Sequence, residues 1–339
     1  DFALERFFAR HEFNVQHMLC ASDCEAMSVG DLLALEPGAA DALNNLWLGY
    51  SESHGHPALR QQIAGLYEHL TPADVLVHVG AQEVIWNLAR AAFVPGDRVV
   101  VQTPCYQSLA DAPRMFGCHV TEWATREALG WRPDVDELDE LLVGGTRAVV
   151  VNQPHNPTGG VMDLAGFRRL FELAGERGAR VVCDEVYRGL EIEASDRLPA
   201  AADMDPSAVS IGVMSKSYGL AGLRIGWIAT RDGALLERME AAKDWTTICA
   251  AGPSELLATV ALRHGEELVA RNRAIVTENL ALLDGFFARH TGQLAWTRPT
   301  SGPVCFPSRR DGGETGDAFV ERLIGERGLL LAPGSLFGD

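Results

Sequence analysis

The amino-acid sequence predicts an α/β protein: a mostly parallel sheet with helices packed on both faces. Three observations carry that expectation. Short apolar runs such as 99–101 (VVV) and 148–151 (AVVV) lack polar alternation, as strands buried on both faces should. Between the runs lie segments whose apolar residues recur at three- and four-residue spacing, the period of an amphipathic helix. The junctions carry Gly, Pro, Asp and Asn, which punctuate elements instead of filling them.

Along the chain, Val75–Gly80 (VLVHVG) is the first strand and AQEVIWNLARAAF its helix. PGD turns into RVVVQTP, a second strand; YQSLADAPRMFG is helical and CHVTEW a third strand. VDELDELL is a helix, TRAVVVNQP a fourth strand, and LAGFRRLFELAGERG a helix closed by glycine. ARVVCDEVY, AVSIGVMSK and RIGWIATRD complete a seven-stranded sheet. After Asp232 three helices follow one another, the last (EELVARNRAIVTENLALLDGFFARH) unusually long. LAWTRPTSGPVCFPS, DAFVERLIGERG and LLLAPG then read as strand, helix, strand. The expected organisation is a large domain over 44–262 and a smaller α+β domain from 1–43 and 263–339. RRDGGETG (309–316) reads as a mobile surface loop.

Composition narrows the partners. The 339 residues are 47% hydrophobic, with 29 basic against 46 acidic residues and a formal net charge of −17. No basic cluster exceeds pairs such as Arg168-Arg169 or Arg309-Arg310, which excludes a nucleic-acid binder and favours a small molecule. The seven cysteines are scattered and form no CxxC pair, as expected of reduced thiols in the cytoplasm. Cys20/Cys24 and His54/His56 are close pairs, but no second pair supplies further ligands, so no metal site is expected. No run approaches the roughly eighteen apolar residues that span a bilayer, so no membrane partner is expected either.

Parallel sheets bind ligands beyond the carboxyl ends of their strands. Those ends carry Gly80-Ala81-Gln82, Tyr106 after Pro104-Cys105, Asn152 to Asn156, Asp184 to Tyr187, and Ser215-Lys216. Lys216 alone reads as an ordinary strand-end lysine, but a buried lysine with a lowered pKa can form a Schiff base with an aldehyde. Asp184 follows the apolar run VVC, a costly place for a carboxylate without a partner; it suits a protonated pyridine nitrogen. As a residue type it also suits a helix N-cap. Tyr187 and Asn156 can hydrogen-bond a ring oxygen, although NPTG is equally a plain turn. Gly80-Ala81-Gln82 opens a helix after a strand, where free N–H groups suit an anion. Arg224 can add a bidentate phosphate contact, and Tyr106 can stack on a ring. Together the set suits pyridoxal 5′-phosphate.

With these residues in view, the chain resembles the fold-type I pyridoxal-phosphate enzymes, and within them the class I/II aminotransferases. YSESHGHPALRQQIA, VGAQEVI, TPCYQS, NQPHNPTGG, VVCDEVYRGL and SKSYGLAGLRIGW carry the likeness in order over Tyr50–Trp227. The resemblance implies the type I transferase fold and a Schiff base at Lys216. It pairs Asp184 with the pyridinium nitrogen, and places Tyr187 and Asn156 on the ring oxygen. Tyr106 would stack on the ring, while Gly80, Ala81, Gln82, Ser215 and Arg224 would hold the phosphate. Tyr50 would reach the phosphate of a second subunit, which implies a homodimer with composite active sites. Two departures stand out. The family's hydroxyl three residues before the lysine is Val213 here, with Ser215 beside the lysine instead. The family's arginine for the substrate α-carboxylate falls beyond Asp339, read as a trimmed sequence and otherwise as loss of that arginine.

The expected activity is ping-pong transfer of an amino group from an amino acid to a 2-keto acid. The runner-up keeps the cofactor and changes the outcome to β- or γ-elimination, replacement or ring closure, as in cyclases similar to capreomycidine synthase. HMLCASDCEAMS and KDWTTICAAGPSE are not generic and stand as candidate linings of an unusual substrate pocket. A non-catalytic ligand-sensing domain is the third alternative. Trp123, Trp131, Trp245 and His155 read as core or interface residues before they read as a bulky-substrate pocket.

Overall fold

A computed structural model describes residues 1–310 and 312–338. Seven strands form its central sheet: β1 (Val75–His78), β2 (Arg98–Thr103), β3 (His119–Ala124), β4 (Thr146–Asn152), β5 (Arg180–Asp184), β6 (Val209–Val213) and β7 (Gly226–Ala229). Their order is β1-β7-β6-β5-β4-β2-β3. Only β7 runs antiparallel to its neighbours β1 and β6; the other pairs are parallel.

The pleat explains why the apolar runs are continuous. Val99 and Val101 of β2 point to one face and join Ile211, Ile228 and the helices Ala81–Ala92, Gln107–Met115 and Gly233–Lys243. Val100 points to the other face and joins Val149, Val151, Val181 and the helices Val135–Leu141 and Leu164–Glu176. Both faces are covered, so apolar residues are favoured on both, and each buried Val or Leu contributes about 1.5–3 kcal/mol.

Beyond β7 the helices Gly233–Lys243, Gly252–Arg263 and Gly265–Arg289 follow as expected. The C-terminal strands are shorter than their sequences promise. LAWTRPTSGPVCFPS is not one strand: its first two residues, Leu294–Ala295, pair antiparallel with Ser308–Arg309 at its far end. The remainder holds Pro299 and Pro303, which break a ladder. Arg309 therefore sits in a strand, and Glu314 of the supposed mobile loop binds both Arg309 (2.8 Å) and Arg322 (2.7 Å). Asp311, at the centre of that loop, lies outside the described residues. The N-terminal segment joins this C-terminal unit: His17–Met18 pairs in parallel with Leu329–Leu330, and Phe7 packs on Val320 and Leu330. Among the described residues no helix is long and apolar enough to cross a membrane.

Candidate active site

The register of the sheet brings the predicted residues together. Asn152 at the end of β4 lies opposite Asp184 at the end of β5, which lies opposite Ile211 of β6. The Asp184 carbonyl accepts from Asn152 Nδ2 (2.8 Å) and Gln153 N–H (2.9 Å). Asn152 Oδ1 in turn accepts from the Asn156 N–H (2.6 Å), which fixes Asn156 beside the strand ends. Asp184 is 5% exposed, and its Oδ1 accepts from Val186 N–H (3.1 Å). Burial lifts its pKa to about 6, against the opposing pull of that N–H and of Lys216. Its local turn with Val186 is the cap-like geometry that its residue type allows, so the two roles coexist.

Lys216 follows β6 in a tight loop that Met214 closes by accepting from Leu220 N–H and donating to Ile225 C=O. Its Nζ donates to Ser22 Oγ at 2.6 Å. Burial lowers its pKa; the carboxylates of Asp23 and Asp184 resist the shift, and Arg224 adds to it. Tyr187 is fully buried, and its hydroxyl donates to the Ser22 carbonyl at 2.8 Å. One N-terminal residue, Ser22, thus touches both the lysine and the tyrosine.

The opposite end of the site is built for an anion. Gly80 has φ +79° and precedes the helix Ala81–Ala92, whose first-turn N–H groups lack helical acceptors. A Cβ on Gly80 would lie 2.5 Å from Arg224 Nη2, and one on Gly226 would lie 2.7 Å from the Ala81 nitrogen. Guanidinium and helix start are therefore in contact, and only glycine permits it. Arg224 Nη1 reaches Ser215 Oγ at a long 3.4 Å. Gln82 Oε1 is buried with no hydrogen-bond partner among the described residues. Val213, where the family carries a hydroxyl, is instead 4% exposed and packed against Tyr187 and Val276.

The aminotransferase class I and II family matches residues 22–338. The chain belongs to that family. Capreomycidine synthase of Streptomyces vinaceus is 30% identical over 99% of this chain and 86% of its own length. Arginine–pyruvate transaminase of Pseudomonas aeruginosa is 28% identical over 92% of this chain and 82% of its own length. Among solved structures, a PLP-dependent aminotransferase from Streptococcus suis superposes with a TM-score of 0.93 at 30% identity, covering 100% of this chain and 90% of that one. The PLP-dependent cyclase OrfR gives 0.92 at 33% identity with the same coverage. The chain is thus a pyridoxal-phosphate-dependent transferase of the type I fold.

The residues of this aminotransferase fit the cofactor the family implies. An unpartnered Gln82 oxygen, open helix N–H groups and Arg224 lie at one end; a buried carboxyl and a buried lysine lie at the other. Tyr106 stands beside them, its hydroxyl donating to Glu5 (3.2 Å) and its ring 5.7 Å from that of Phe2. Tyr50 does not join this cluster: it is 86% exposed, as are its neighbours Trp47 and Leu48 at 81% each. Of the bulky side chains singled out earlier, Trp123 and His155 are core residues bonded to the Asp134 carbonyl and to Thr158. Trp131 packs on Phe306, and Trp245 is 92% exposed. Among the described residues no His, Cys, Asp and Glu cluster could hold a metal. Ser22 and Asp23 escape residue-by-residue reading, because they lie in an irregular segment far from any strand end. The non-generic stretch HMLCASDCEAMS was the one pointer to them.

Proposed function

We propose that this protein moves the amino group of an amino acid to a 2-keto acid, with Lys216 as the group that carries the proton. The observation that supports it most is that Ser22 ties Lys216 to Tyr187 while the Asp184 carboxylate acts on the same lysine. The bound cofactor supplies an aldehyde and an electron-withdrawing ring. Asp184 would hold a proton on the ring nitrogen. Burial raises its pKa, and a cationic ring nitrogen beside it would offset that cost. Tyr187 and Asn156 would orient the ring by donating to its oxygen. Gly80, Ala81, Gln82, Ser215 and Arg224 would bind the phosphate, and Tyr106 would cover the ring face. Lys216 Nζ would provide the covalent link to the protein as a Schiff base and, once free, take a proton from the substrate Cα. Burial favours its neutral, proton-accepting form. Tyr50 would complete the phosphate site of a second copy in a homodimer.

Two relatives favour a second reading, elimination or ring closure: capreomycidine synthase and the cyclase OrfR. One experiment separates the two. Purified holoenzyme is mixed with single amino acids and no keto acid, with Lys216→Ala alongside. Transamination yields one equivalent of keto acid per site and stops. Product that accumulates over many turnovers without an acceptor would instead establish the second reading. Lys216→Ala should do neither, and before amino acid is added it should lack the near-visible band of cofactor joined covalently to the protein.

A further inference from the structure

The segment 17–28 crosses the mouth of the site as a strap pinned at both ends. On one side His17–Met18 pairs with Leu329–Leu330, and Leu19 N–H donates to the Leu330 carbonyl (3.0 Å). On the other, Arg271 holds Glu25 twice, by its carbonyl (2.8 Å) and its carboxylate (3.1 Å). Between the pins Ser22 accepts from Tyr187 and Lys216. The next residue, Asp23, is half-buried. Its carboxylate makes no hydrogen bond or ion pair among the described residues. The nearby cations are engaged elsewhere: Arg271 with Glu25, and Arg224 at the phosphate end with Ser215 and the Ala221 carbonyl. Asp23 nevertheless acts on Lys216 more strongly than Asp184 does, and its field also reaches Tyr187 and Cys24. A half-buried carboxylate with no partner of its own is open to a positive group that enters beside it.

We propose that Asp23 is a specificity-determining residue that reads a cationic group, guanidinium or ammonium, on the side chain of the amino-acid substrate. The inference rests on the reading of this pocket as the amino-acid site. Three features point the same way. Lys216 Nζ, which feels the Asp23 charge, is bonded to Ser22 next door and must leave it to do chemistry, so it is no fixed partner for that carboxylate. The strap presents Ser22 and Asp23 with no basic residue of its own toward the site, so it suits a cationic side chain and repels a distal carboxylate. The two pins and the Tyr187 bond hold the carboxylate in place before substrate arrives, which limits the entropy lost on binding.

The test measures binding and does not need turnover. L-Arginine and its neutral near-isostere L-citrulline are titrated calorimetrically into the holoenzyme of wild type, Asp23→Asn and Asp23→Glu. L-Lysine and L-norleucine form a second pair. A charge-assisted contact at a partly buried site predicts that arginine binds at least about tenfold more tightly than citrulline in wild type. Asp23→Asn should bring that ratio close to one by weakening arginine alone, and Asp23→Glu should restore part of it. Unchanged citrulline binding shows that the variants are folded. Equal binding of arginine and citrulline by wild type would overturn the proposal. So would a ratio that survives Asp23→Asn, which would leave Asp23 only a counter-ion for Lys216. If no amino acid yields keto acid, transamination fails as a reading, while the arginine-to-citrulline ratio still decides the role of Asp23.

Discussion

Two adjacent carboxyls end β5, and burial raises both, Asp184 to about 6 and Glu185 to about 7. They face different partners because successive strand residues point to opposite sides. Asp184 looks into the site. Glu185 looks into the core, where Oε1 accepts from Ala201 N–H (2.6 Å) and Ser210 Oγ (2.8 Å) while Oε2 has no partner among the described residues. Its folded pKa lies above the ordinary 4.5, so the folded state keeps a proton that the unfolded chain releases. Folding is therefore weakened by this group as pH climbs from about 4.5 through about 7. His78 and His155, both pushed down to about 4 by burial, act in the opposite sense over the acidic part of that window. The whole-protein profile mixes these effects, so the difference between variants is the informative quantity. Glu185→Gln keeps the accepting oxygen and removes the titration. Its melting temperature in cofactor-free protein should match wild type near pH 4 and exceed it by several degrees above pH 7. A difference that does not grow with pH would show that Glu185 is not a buried proton carrier.

At the scale of elements, a buried lysine ties together the loop at Ser53 and the helices of Glu83 and Glu255. Lys243, the last residue of the helix Gly233–Lys243, is 0% exposed, and its Nζ donates to the Ser53 carbonyl. Glu83 and Glu255 are the carboxylates that act on it most, against a burial that lowers its pKa. Glu83 sits in the first turn of Ala81–Ala92 and accepts from Val79 N–H (2.6 Å) and from the hydroxyls of Thr246 and Thr247. Glu255 accepts from the His56 N–H (2.8 Å). Lys243→Met would keep the volume and strip the counter-charge from one buried carboxylate, Glu255, and one half-buried one, Glu83. It should cost about 3 kcal/mol or more, read as a lowered urea midpoint with an unchanged slope. A change below about 0.5 kcal/mol would place Lys243 among surface-like lysines. Nothing in the sequence announces this residue, because a lysine at a helix C-terminus ordinarily complements the dipole from the surface. The seven strands were legible for the opposite reason: burial on two faces forces apolar β-branched runs, and VVV or AVVV says so without a partner in view. His17–Met18 was not legible, since two residues carry no period and their partners, Leu329–Leu330, lie at the far end of the chain. The grouping of Lys216 with Asp184 was legible because both stand at strand ends of one sheet. Ser22 and Asp23 were hidden because tertiary packing alone brings their strap to the lysine.

For the whole molecule, the informative surface is the one this chain leaves uncovered. Trp47, Leu48, Tyr50 and Trp245 are each more than four-fifths exposed. Their segments are neighbours, because Ser51 Oγ donates to the Ala250 carbonyl (3.2 Å) and Lys243 holds Ser53. Four large apolar side chains gathered on two adjoining loops form the kind of patch that marks an interaction surface. The proposed homodimer would cover it and carry Tyr50 from one copy into the phosphate site of the other. Mixed subunits test this directly. Lys216→Ala subunits lack the proposed proton carrier, and Tyr50→Ala subunits should bind the cofactor phosphate weakly. If Tyr50 acts across the interface, a mixed dimer holds one site with both lesions and one site with neither. Refolding the two variants together should then recover activity, up to half of the sites in each mixed dimer, with wild-type cofactor affinity at the recovered sites. If Tyr50 acts within its own chain, every site keeps one lesion and mixing recovers nothing. A sedimentation measurement on the same samples supplies the control: a monomer at micromolar concentration would remove the shared-site reading altogether.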